Sequence, residues 1–309
     1  MDIEYADTWK NDYLSLINHL INSVETRSDF AEWWRLRKES IIKGKIRIMV
    51  ALKNGNPVGF LTYLFDDNIG KLEAVHVLDV PEKQEIAVTL LERAIELLKQ
   101  RKDLADISGE LYYIAGPIDI LADCIDDAGG TVYIRVGMAR DLKGAPPNPV
   151  LPEGYSVYEW SKEDIPLLAE VFCEAFKDSI DIVFWEHFRN PDKAKIYIEN
   201  VFNSEVWSHI PMTNICVAHD GNICGANLCG VPEKNKGAIY MGVLPEHREK
   251  GLGRFLLTQA LTGYHDAQFE TVGLEVTLQN EVAYPFFKRY GFEDIYRLIG
   301  YTFASECNK

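Results

Sequence analysis

The chain lacks a long apolar run and a basic start. Nowhere do about 18 apolar residues follow one another, so the sequence predicts no membrane span. The opening residues, MDIEYAD, have neither the positive charge nor the apolar stretch of a signal peptide. From these two absences we expect a cytoplasmic protein without a membrane partner.

Paired metal-ligand motifs are also missing from the sequence. The six cysteines are scattered without a CxxC pair, and the seven histidines show no HExxH or comparable spacing. In a chain without a secretion signal, scattered cysteines are typical of reduced thiols in a cytosolic protein. We therefore expect no metal site.

Positive charge is scarce, because 32 Lys and Arg stand against 47 Asp and Glu, which gives a formal net charge of −15. A protein this acidic repels DNA and RNA, so no nucleic-acid partner is expected. It attracts cationic small molecules and basic peptides, which favours an amine as substrate. The alternative is that the acidity only keeps a cytosolic protein soluble.

What the chain does have is material for two domains. Its 309 residues, 47% of them hydrophobic, are close to the usual length of two domains of about 150 residues. Residues 143–154 hold four prolines and two glycines between apolar segments, which is typical of an extended linker. We predict domains at 1–142 and 155–309, joined by this linker.

The second domain alternates strand and helix patterns. Ser161 is a candidate helix cap. Strands are predicted at 155–160, 215–218, 223–231, 237–243, 272–278 and 295–303, and helices at 161–176, 192–202, 250–264 and 282–290.

The first domain shows the same order of elements. Gly55 and Gly59 lie 166 positions before Gly221 and Gly225 in similar segments, which indicates a duplication. Trp33 and Trp34 are expected in its core. The predicted strands are 47–52, 58–65, 72–78, 107–114 and 131–139, and the predicted helices are 85–100 and 119–127.

The segment 243–254, VLPEHREKGLGR, runs from a strand into a helix with two glycines at the junction. Glycines let the backbone approach an anion, and the first turn of a helix has unpaired N–H groups at the positive end of its dipole. Arg248, Lys250 and Arg254 add positive charge. The motif predicts a pyrophosphate site, although a glycine-containing turn alone is more often only a turn.

A second block follows downstream: Leu-Glu-Val at 274–276, Asn280 with Ala283, and Tyr-Gly-Phe at 290–292. With the Arg-x-x-Gly-x-Gly turn before it, this order resembles the GCN5-related N-acetyltransferase (GNAT) superfamily over residues 155–303. The doubled architecture is similar to that of tandem members such as the mycothiol synthases. The resemblance implies an α+β fold with two GNAT-like domains, each a mostly antiparallel twisted sheet with helices on both faces. It also implies an N-acetyltransferase that uses acetyl-CoA as co-substrate.

The resemblance implies a role for each matching position. The strand before the turn would pair with the pantetheine arm, the turn would hold the pyrophosphate, and the fourth and fifth strands would separate around the thioester. The side-chain amide of Asn280 would contact the cofactor, and Phe287 would pack near the sulfur. The implied strand and turn residues are Met241, Gly242, Val243, Arg248, Glu249, Lys250, Gly251, Leu252, Gly253 and Arg254.

An amine must be neutral to attack a thioester. A lysine-like amine with a pKa of ~10.4 loses its proton at pH 7 at a cost of about 4.6 kcal/mol, and an α-amino group at a cost of only about 1 kcal/mol. Glu275 is the candidate general base, at a position that resembles the glutamate proposed as base in ribosomal-protein alanine acetyltransferases. The alternative is an edge-facing strand residue between Leu274 and Val276.

The position of the general acid, the group that would protonate the departing thiolate, differs from the family pattern. Many relatives carry a tyrosine four residues before the glycine of the Gly-Phe pair, and here that position is Phe287. Tyr284, three residues earlier, is the candidate replacement, with a core role as the alternative. A thiol with a pKa of ~8.5 is a tolerable leaving group, so an acid is helpful without being essential.

The acceptor site is expected in the segment 178–188, where acids and aromatic residues mix. Asp181 and Trp185 are the candidates to hold a cationic amine by charge and cation–π contact. The alternative is an amphipathic helix that buries Phe184, Trp185 and Phe188.

In the first domain, the positions of Arg248, Gly251 and Gly253 hold Glu82, Glu85 and Ala87, so no acetyl-CoA site is expected there. A second function stays open, a sensor that binds acyl-CoA or an amine without turnover. The sequence also leaves open the acceptor amine, the length of the acyl group and the oligomeric state.

Overall fold

The computed structural model describes residues 3–6, 13–23, 34, 37–113, 116–144, 146–204, 210, 213–233 and 236–303. Trp34 is fully buried, as predicted for a core residue, and Trp33 lies outside the described residues. Within the described ranges, no helix combines the length and the apolar character that a membrane crossing requires.

The chain folds into two compact units. The first extends to Arg135 and takes in the chain again from Arg297, and the second is Val136–Tyr296. These units differ from the predicted boundaries of 1–142, 143–154 and 155–309, because the last strand of the chain contributes residues 299–303 to the first unit. There it pairs with residues 107–111. A domain boundary read from proline content does not register such long-range strand pairing.

In the first unit, strands β1 to β4 are successively antiparallel and β5 runs parallel to β4. Helix α2 buries one face, at helical spacing, against these strands. The elements are β1 Ile3–Ala6, α1 Leu14–Ser23, β2 Arg47–Lys53, β3 Asn56–Asp66, β4 Ile69–Val77, α2 Lys83–Lys99, β5 Asp106–Tyr113, α3 Asp119–Asp127 and β6 Thr131–Asp141, the last divided between the units.

In the second unit, the strand order is β6-β11-β10-β9-β8-β7, with the pairs β7–β8, β8–β9 and β9–β10 antiparallel and β10–β11 parallel. The predicted α+β fold with a mostly antiparallel sheet is confirmed. The elements are β7 Ser156–Glu159, α4 Ile165–Phe176, α5 Pro191–Asn203, β8 Ile215–His219, β9 Asn222–Glu233, β10 Lys236–Val243, α6 Leu252–Asp266, β11 Thr271–Thr277, α7 Ala283–Arg289 and β12 Glu293–Phe303.

The duplication is visible in the two corresponding hairpins. Asn54 and Gly55 between β2 and β3 have φ of 54° and 76°, and Asp220 and Gly221 between β8 and β9 have φ of 50° and 80°. Two successive positive φ values are typical of the type I′ turn that fits the twist of paired strands. Both units therefore have the same type of turn at positions 166 residues apart.

The segment 178–188 is not the amphipathic helix that was one alternative for it. It forms two 3₁₀ turns, Ile180–Val183 and Glu186–Arg189, and only Phe188 of its aromatic residues is fully buried. The first turn begins where the Ser179 hydroxyl accepts a hydrogen bond from the Asp181 N–H. The Asp181 side chain is then held by tertiary contacts that helical spacing does not predict.

Candidate active site

A gap opens between the two parallel strands of the second unit. The ladder of β10 with β11 covers residues 236–238 and 271–273, and among the described residues it continues no further. Residues 239–243 remain paired on their other side with β9. The stretch of β10 at Met241, Gly242 and Val243, for which the resemblance implied a pantetheine arm, therefore has no partner on β11, and the Val243 carbonyl is bound by Arg248.

The turn after β10 presents a row of backbone donors. A 3₁₀ turn at Pro245–His247 is followed by Glu249 and Gly251 in left-handed conformation, with φ of 61° and 86°. Within the described part of the chain, the N–H groups of residues 249–254 donate to no protein acceptor. Helix α6 starts directly behind them, so its positive end adds to the same anion-binding surface.

Two of the three cationic side chains of this turn, Arg248 and Lys250, bind backbone oxygens. The Arg248 guanidinium donates from Nε to the Val243 carbonyl at 3.2 Å and from Nη2 to the Ala175 carbonyl at 2.7 Å. The Lys250 ammonium donates to the Glu246 carbonyl at 2.9 Å. Arg248 thus holds the carboxyl end of α4 to β10, and the donors left open in this turn are mainly backbone N–H groups.

Asp181, predicted to bind substrate, is buried. Its Oδ1 accepts from the Thr277 N–H at 2.8 Å and from the Thr277 hydroxyl at 2.6 Å, and its Oδ2 accepts from the Asn280 amide at 2.7 Å. A carboxylate with this many charge-assisted bonds is a structural anchor. The geometry favours a role for Asp181 in holding the end of β11, in place of the predicted contact with substrate.

Asn280, predicted to contact the cofactor through its amide, is engaged at both ends of that amide. Its Nδ2 donates to Asp181, and its Oδ1 accepts from the Ala283 N–H at 2.9 Å and from the Val282 N–H at 3.3 Å. It therefore satisfies donors at the start of α7. That helix places Phe287, half-buried, in edge contact with Phe292 at 5.7 Å between ring centroids.

Tyr284, the candidate general acid, donates its hydroxyl to Asp294, at 3.0 Å to Oδ2 and 3.1 Å to Oδ1. Lys288 completes the group with its ammonium 3.3 Å from the same carboxylate. Because the phenolic proton is already shared with an acceptor, the geometry disfavours transfer of that proton to a departing thiolate.

Glu275, the candidate base, lies on β11 in the stretch beyond the last pair with β10, so it borders the gap. Its Oε1 accepts a short hydrogen bond from the hydroxyl of Tyr296 on β12. The structure thus joins Glu275 to a side chain that sequence reasoning missed, since the two residues belong to different strands.

An aromatic group lies across the gap from Glu275. Ala238 and Gly273 are the last paired residues, so Tyr240 on β10 and Glu275 on β11 stand two residues further on the same face. Trp185, predicted to bind substrate, packs edge-on against Tyr240 with centroids 5.7 Å apart. Strand alternation around Gly237 could have identified Tyr240 from the sequence.

His187 belongs to the same aromatic group. It stacks on Tyr197 with centroids 3.7 Å apart and an interplanar angle of 17°. Burial lowers the pKa of His187 to about 4, so the imidazole is neutral at pH 7 and a weak base. Its role in this group is packing.

The corresponding region of the first unit has neither feature. The parallel ladder of β4 with β5 is interrupted by a register shift after Gly70 with Ile107, but it resumes at Ala74 with Tyr112 and Val75 with Tyr113, so the two strands are paired again at their carboxyl ends. Glu82, at the position of Arg248, is bound by the Lys53 ammonium at 2.8 and 2.9 Å and has a lowered pKa, mainly because of that hydrogen bond. A carboxylate thus lies at the start of α2, where the second unit has open donors.

A divided parallel strand pair and an N–H-lined turn before a helix thus make up the candidate site of the second unit. A model of the acetyltransferase (GNAT) family matches residues 172–292. Residues 172–292 therefore form a GNAT-family domain, as the sequence motifs predicted.

Solved structures match over both units. A GCN5-related N-acetyltransferase from Sphaerobacter thermophilus has a TM-score of 0.72 at 18% identity, covering 97% of this chain and 95% of that one. A tandem GNAT protein from the clavulanic acid biosynthesis pathway has a TM-score of 0.57 at 15% identity, covering 97% and 98%. A GNAT-family acetyltransferase from Colwellia psychrerythraea has a TM-score of 0.54 at 15% identity, covering 98% and 100%. At these identities the likeness shows a shared fold.

Proposed function

We propose that the protein transfers the acetyl group of acetyl-CoA to a primary amine of a small molecule or peptide, and that the second unit carries the reaction. One observation supports this most: the gap between β10 and β11 lies directly before a turn with six consecutive open N–H groups. An extended thioester with a pyrophosphate at one end needs these two features side by side.

The backbone provides the recognition of the donor. The N–H groups of 249–254 and the positive end of α6 hold the pyrophosphate, which a protein of net charge −15 would otherwise repel. The edge of β10 from Met241 to Val243, which has no partner on β11, forms hydrogen bonds with the amides of the pantetheine arm through the groups other than the Val243 carbonyl, which Arg248 binds. Gly253 leaves space beside Met241 and Phe286, since a Cβ there would be 3.5 Å or more from either side chain.

Glu275 removes one proton from the acceptor ammonium. The neutral nitrogen then attacks the thioester carbon, a C–N bond forms, and the C–S bond breaks with its electron pair left on sulfur. The second nitrogen proton goes to the thiolate or to solvent, so that ammonium and thioester yield amide, thiol and one proton. Phe287 has no proton to give and Tyr284 shares its own with Asp294, so we propose that the thiolate leaves without a protein acid.

The acceptor enters on the face that carries Tyr240 and Trp185. These rings stand across the gap from the Glu275 carboxylate. A protonated amine gains about 0.5–2 kcal/mol from an aromatic face in addition to its attraction to the carboxylate. The acidic protein therefore collects the cationic form, and Glu275 converts it to the reactive one.

We propose that the first unit binds no acetyl-CoA. Its β4–β5 ladder is paired again at the carboxyl ends of the strands, and the Glu82–Lys53 ion pair lies at the start of α2. A binding protein without turnover is the second candidate function, favoured by one observation, the absence of a free tyrosine acid in α7 among the described residues.

Release of CoA thiol from acetyl-CoA is the test, measured with aminoglycosides, polyamines, amino acids and peptide N-termini as acceptors, beside calorimetric binding of acetyl-CoA. We expect release with one class of amine. Binding of acetyl-CoA without release for any amine would favour the sensor, and no binding would reject both functions.

A further inference from the structure

We propose that Tyr296 is a positioning residue for the transfer reaction, which holds the Glu275 carboxylate at the gap from two strands away. The proposal rests on the function given above, because it assigns Glu275 as the base. It adds a residue outside both sequence blocks of the family resemblance.

The contact spans three strands of the second unit. Glu275 is on β11, Tyr296 is on β12, and β6 lies between them in the strand order. Neighbouring strands are about 4.8 Å apart, so the two backbones are separated by roughly 10 Å. A tyrosine and a glutamate reaching towards each other span that distance, and the hydroxyl donates to Oε1 of the carboxylate.

Gly137 on β6 makes this crossing possible. A Cβ placed on Gly137 would lie 2.2 Å from Cζ of Tyr296 and 2.3 Å from its Cε1, so the ring lies directly over this glycine. Any larger residue at 137 would push the ring aside. The sequence thus has a glycine at the one strand position where the tyrosine must pass.

The pair lies on the face of the sheet where the acceptor is expected. Thr277, two residues along β11 from Glu275, projects to the same face and bonds Asp181 through its hydroxyl. Asp181 belongs to the segment that carries Trp185. The Tyr296–Glu275 contact therefore lies on the side of the aromatic group, where the amine must give up its proton.

The physical consequence concerns orientation. A glutamate on a strand next to a gap has several rotamers, and general-base catalysis requires its oxygen within about 2.6–3.2 Å of the proton it removes. The Tyr296 hydroxyl selects one rotamer and donates to the ionised carboxylate, the form that acts as a base. In this role Tyr296 acts through Glu275.

The experiment compares kcat and KM across pH for wild type, Tyr296→Phe, Gly137→Ala and Glu275→Gln, with the amine that wild type accepts. Gly144→Ala is the matched glycine control, because no heavy atom lies within 4 Å of a Cβ at that position. Acetyl-CoA affinity by calorimetry and a thermal melt accompany each variant.

We expect Tyr296→Phe and Gly137→Ala to lower kcat about 10-fold with acetyl-CoA affinity and KM nearly unchanged. The ascending limb of kcat/KM should move to higher pH, since the ionised base loses a donor. Adding Tyr296→Phe to Glu275→Gln should cause little further loss. Gly144→Ala should match wild type.

Wild-type kcat and pH profile in Tyr296→Phe, or a loss that adds in full to that of Glu275→Gln, would overturn the positioning role while leaving the proposed function intact. A second readout does not depend on turnover. With 3-fluorotyrosine at position 296, the ¹⁹F signal should shift in Glu275→Gln and in Gly137→Ala and stay in place in Gly144→Ala. An unchanged signal in both would reject the contact itself.

Discussion

The carboxylate of Asp181 accepts a hydrogen bond from the side-chain amide of Asn280 across 99 positions of sequence, at 2.7 Å. The same carboxylate binds the N–H and hydroxyl of Thr277. One buried side chain therefore joins the first 3₁₀ turn of the acceptor segment, the end of β11 and the start of α7.

Replacing Asp181 should lower the stability of the protein and have little direct effect on binding of the amine. Asp181→Ala leaves buried donors without an acceptor, which costs about 2–4 kcal/mol of the free energy of unfolding. The midpoint of urea unfolding measures this loss of stability. Asp178→Ala, three residues earlier and exposed, is the control and should stay within about 0.5 kcal/mol of wild type. If Asp181→Ala is as stable as wild type and has a raised KM for the amine, the predicted contact of Asp181 with substrate would be supported instead.

Glu275→Gln should reduce kcat/KM more for basic amines than for weakly basic ones. Deprotonation costs about 4.6 kcal/mol for a lysine-like amine and about 1 kcal/mol for an α-amino group at pH 7. We expect a loss on the order of 100-fold with the first class and about 10-fold or less with the second. Steady-state kinetics with a lysine side chain and a peptide N-terminus give the comparison. Equal losses for both would remove the general-base role.

Gly251→Ala should weaken acetyl-CoA binding. Gly251 has a φ of 86°, a conformation that costs an alanine about 1–2 kcal/mol. We expect the turn to relax this strain by shifting the backbone N–H groups of residues 249–254. Calorimetry should show about a 10-fold rise in Kd. Gly55→Ala in the first unit, with a φ of 76°, carries the same backbone cost away from this site and should leave Kd unchanged. Equal weakening by both variants would mean that the effect is global.

The stability of the second unit should fall as the pH is lowered from about 6.5 to about 4. Burial lowers the pKa of His187 from 6.5 to about 4, so in this window the unfolded chain binds a proton that the folded chain does not. The stability contributed by the neutral ring is therefore present above pH 6.5 and lost as the pH falls, by about 2–3 kcal/mol.

His187→Phe keeps the stacking on Tyr197 and should flatten the dependence of the unfolding midpoint on pH in this window. A pH profile of His187→Phe identical to that of wild type would show that other groups cause the loss.

Much of the fold follows from local patterns. The strands and helices of both units begin and end within a few residues of the positions predicted from alternation and helical spacing. The Asn54-Gly55 and Asp220-Gly221 turns follow from residue type, because few other pairs adopt two positive φ values. Elements such as β1 and α1, with weaker patterns, were missed.

The site followed from the sequence only in part. The turn with Gly251 was anticipated, since short motifs encode local backbone geometry, and the separation of the two strands was expected from the family resemblance. The position of Glu275 beside the gap came from the structure. The hydrogen-bond partners of the charged side chains were not anticipated. Arg248 bonds the carbonyl of Ala175, 73 positions away, and Asp181 bonds Thr277 at 96, and no spacing in the sequence relates these residues.

The sequence by itself determined the element order, the duplication, the superfamily resemblance and the glycine turn before α6, because these depend on periodicity and on residues close along the chain. The tertiary structure alone decided that β12 contributes residues 299–303 to the first unit, that Asp181 is buried, and that Tyr296 reaches Glu275 over Gly137. The physical reason is that these contacts depend on which strands become neighbours. Strand order is set by the burial of whole faces, and a side chain's partner is fixed only after that order exists.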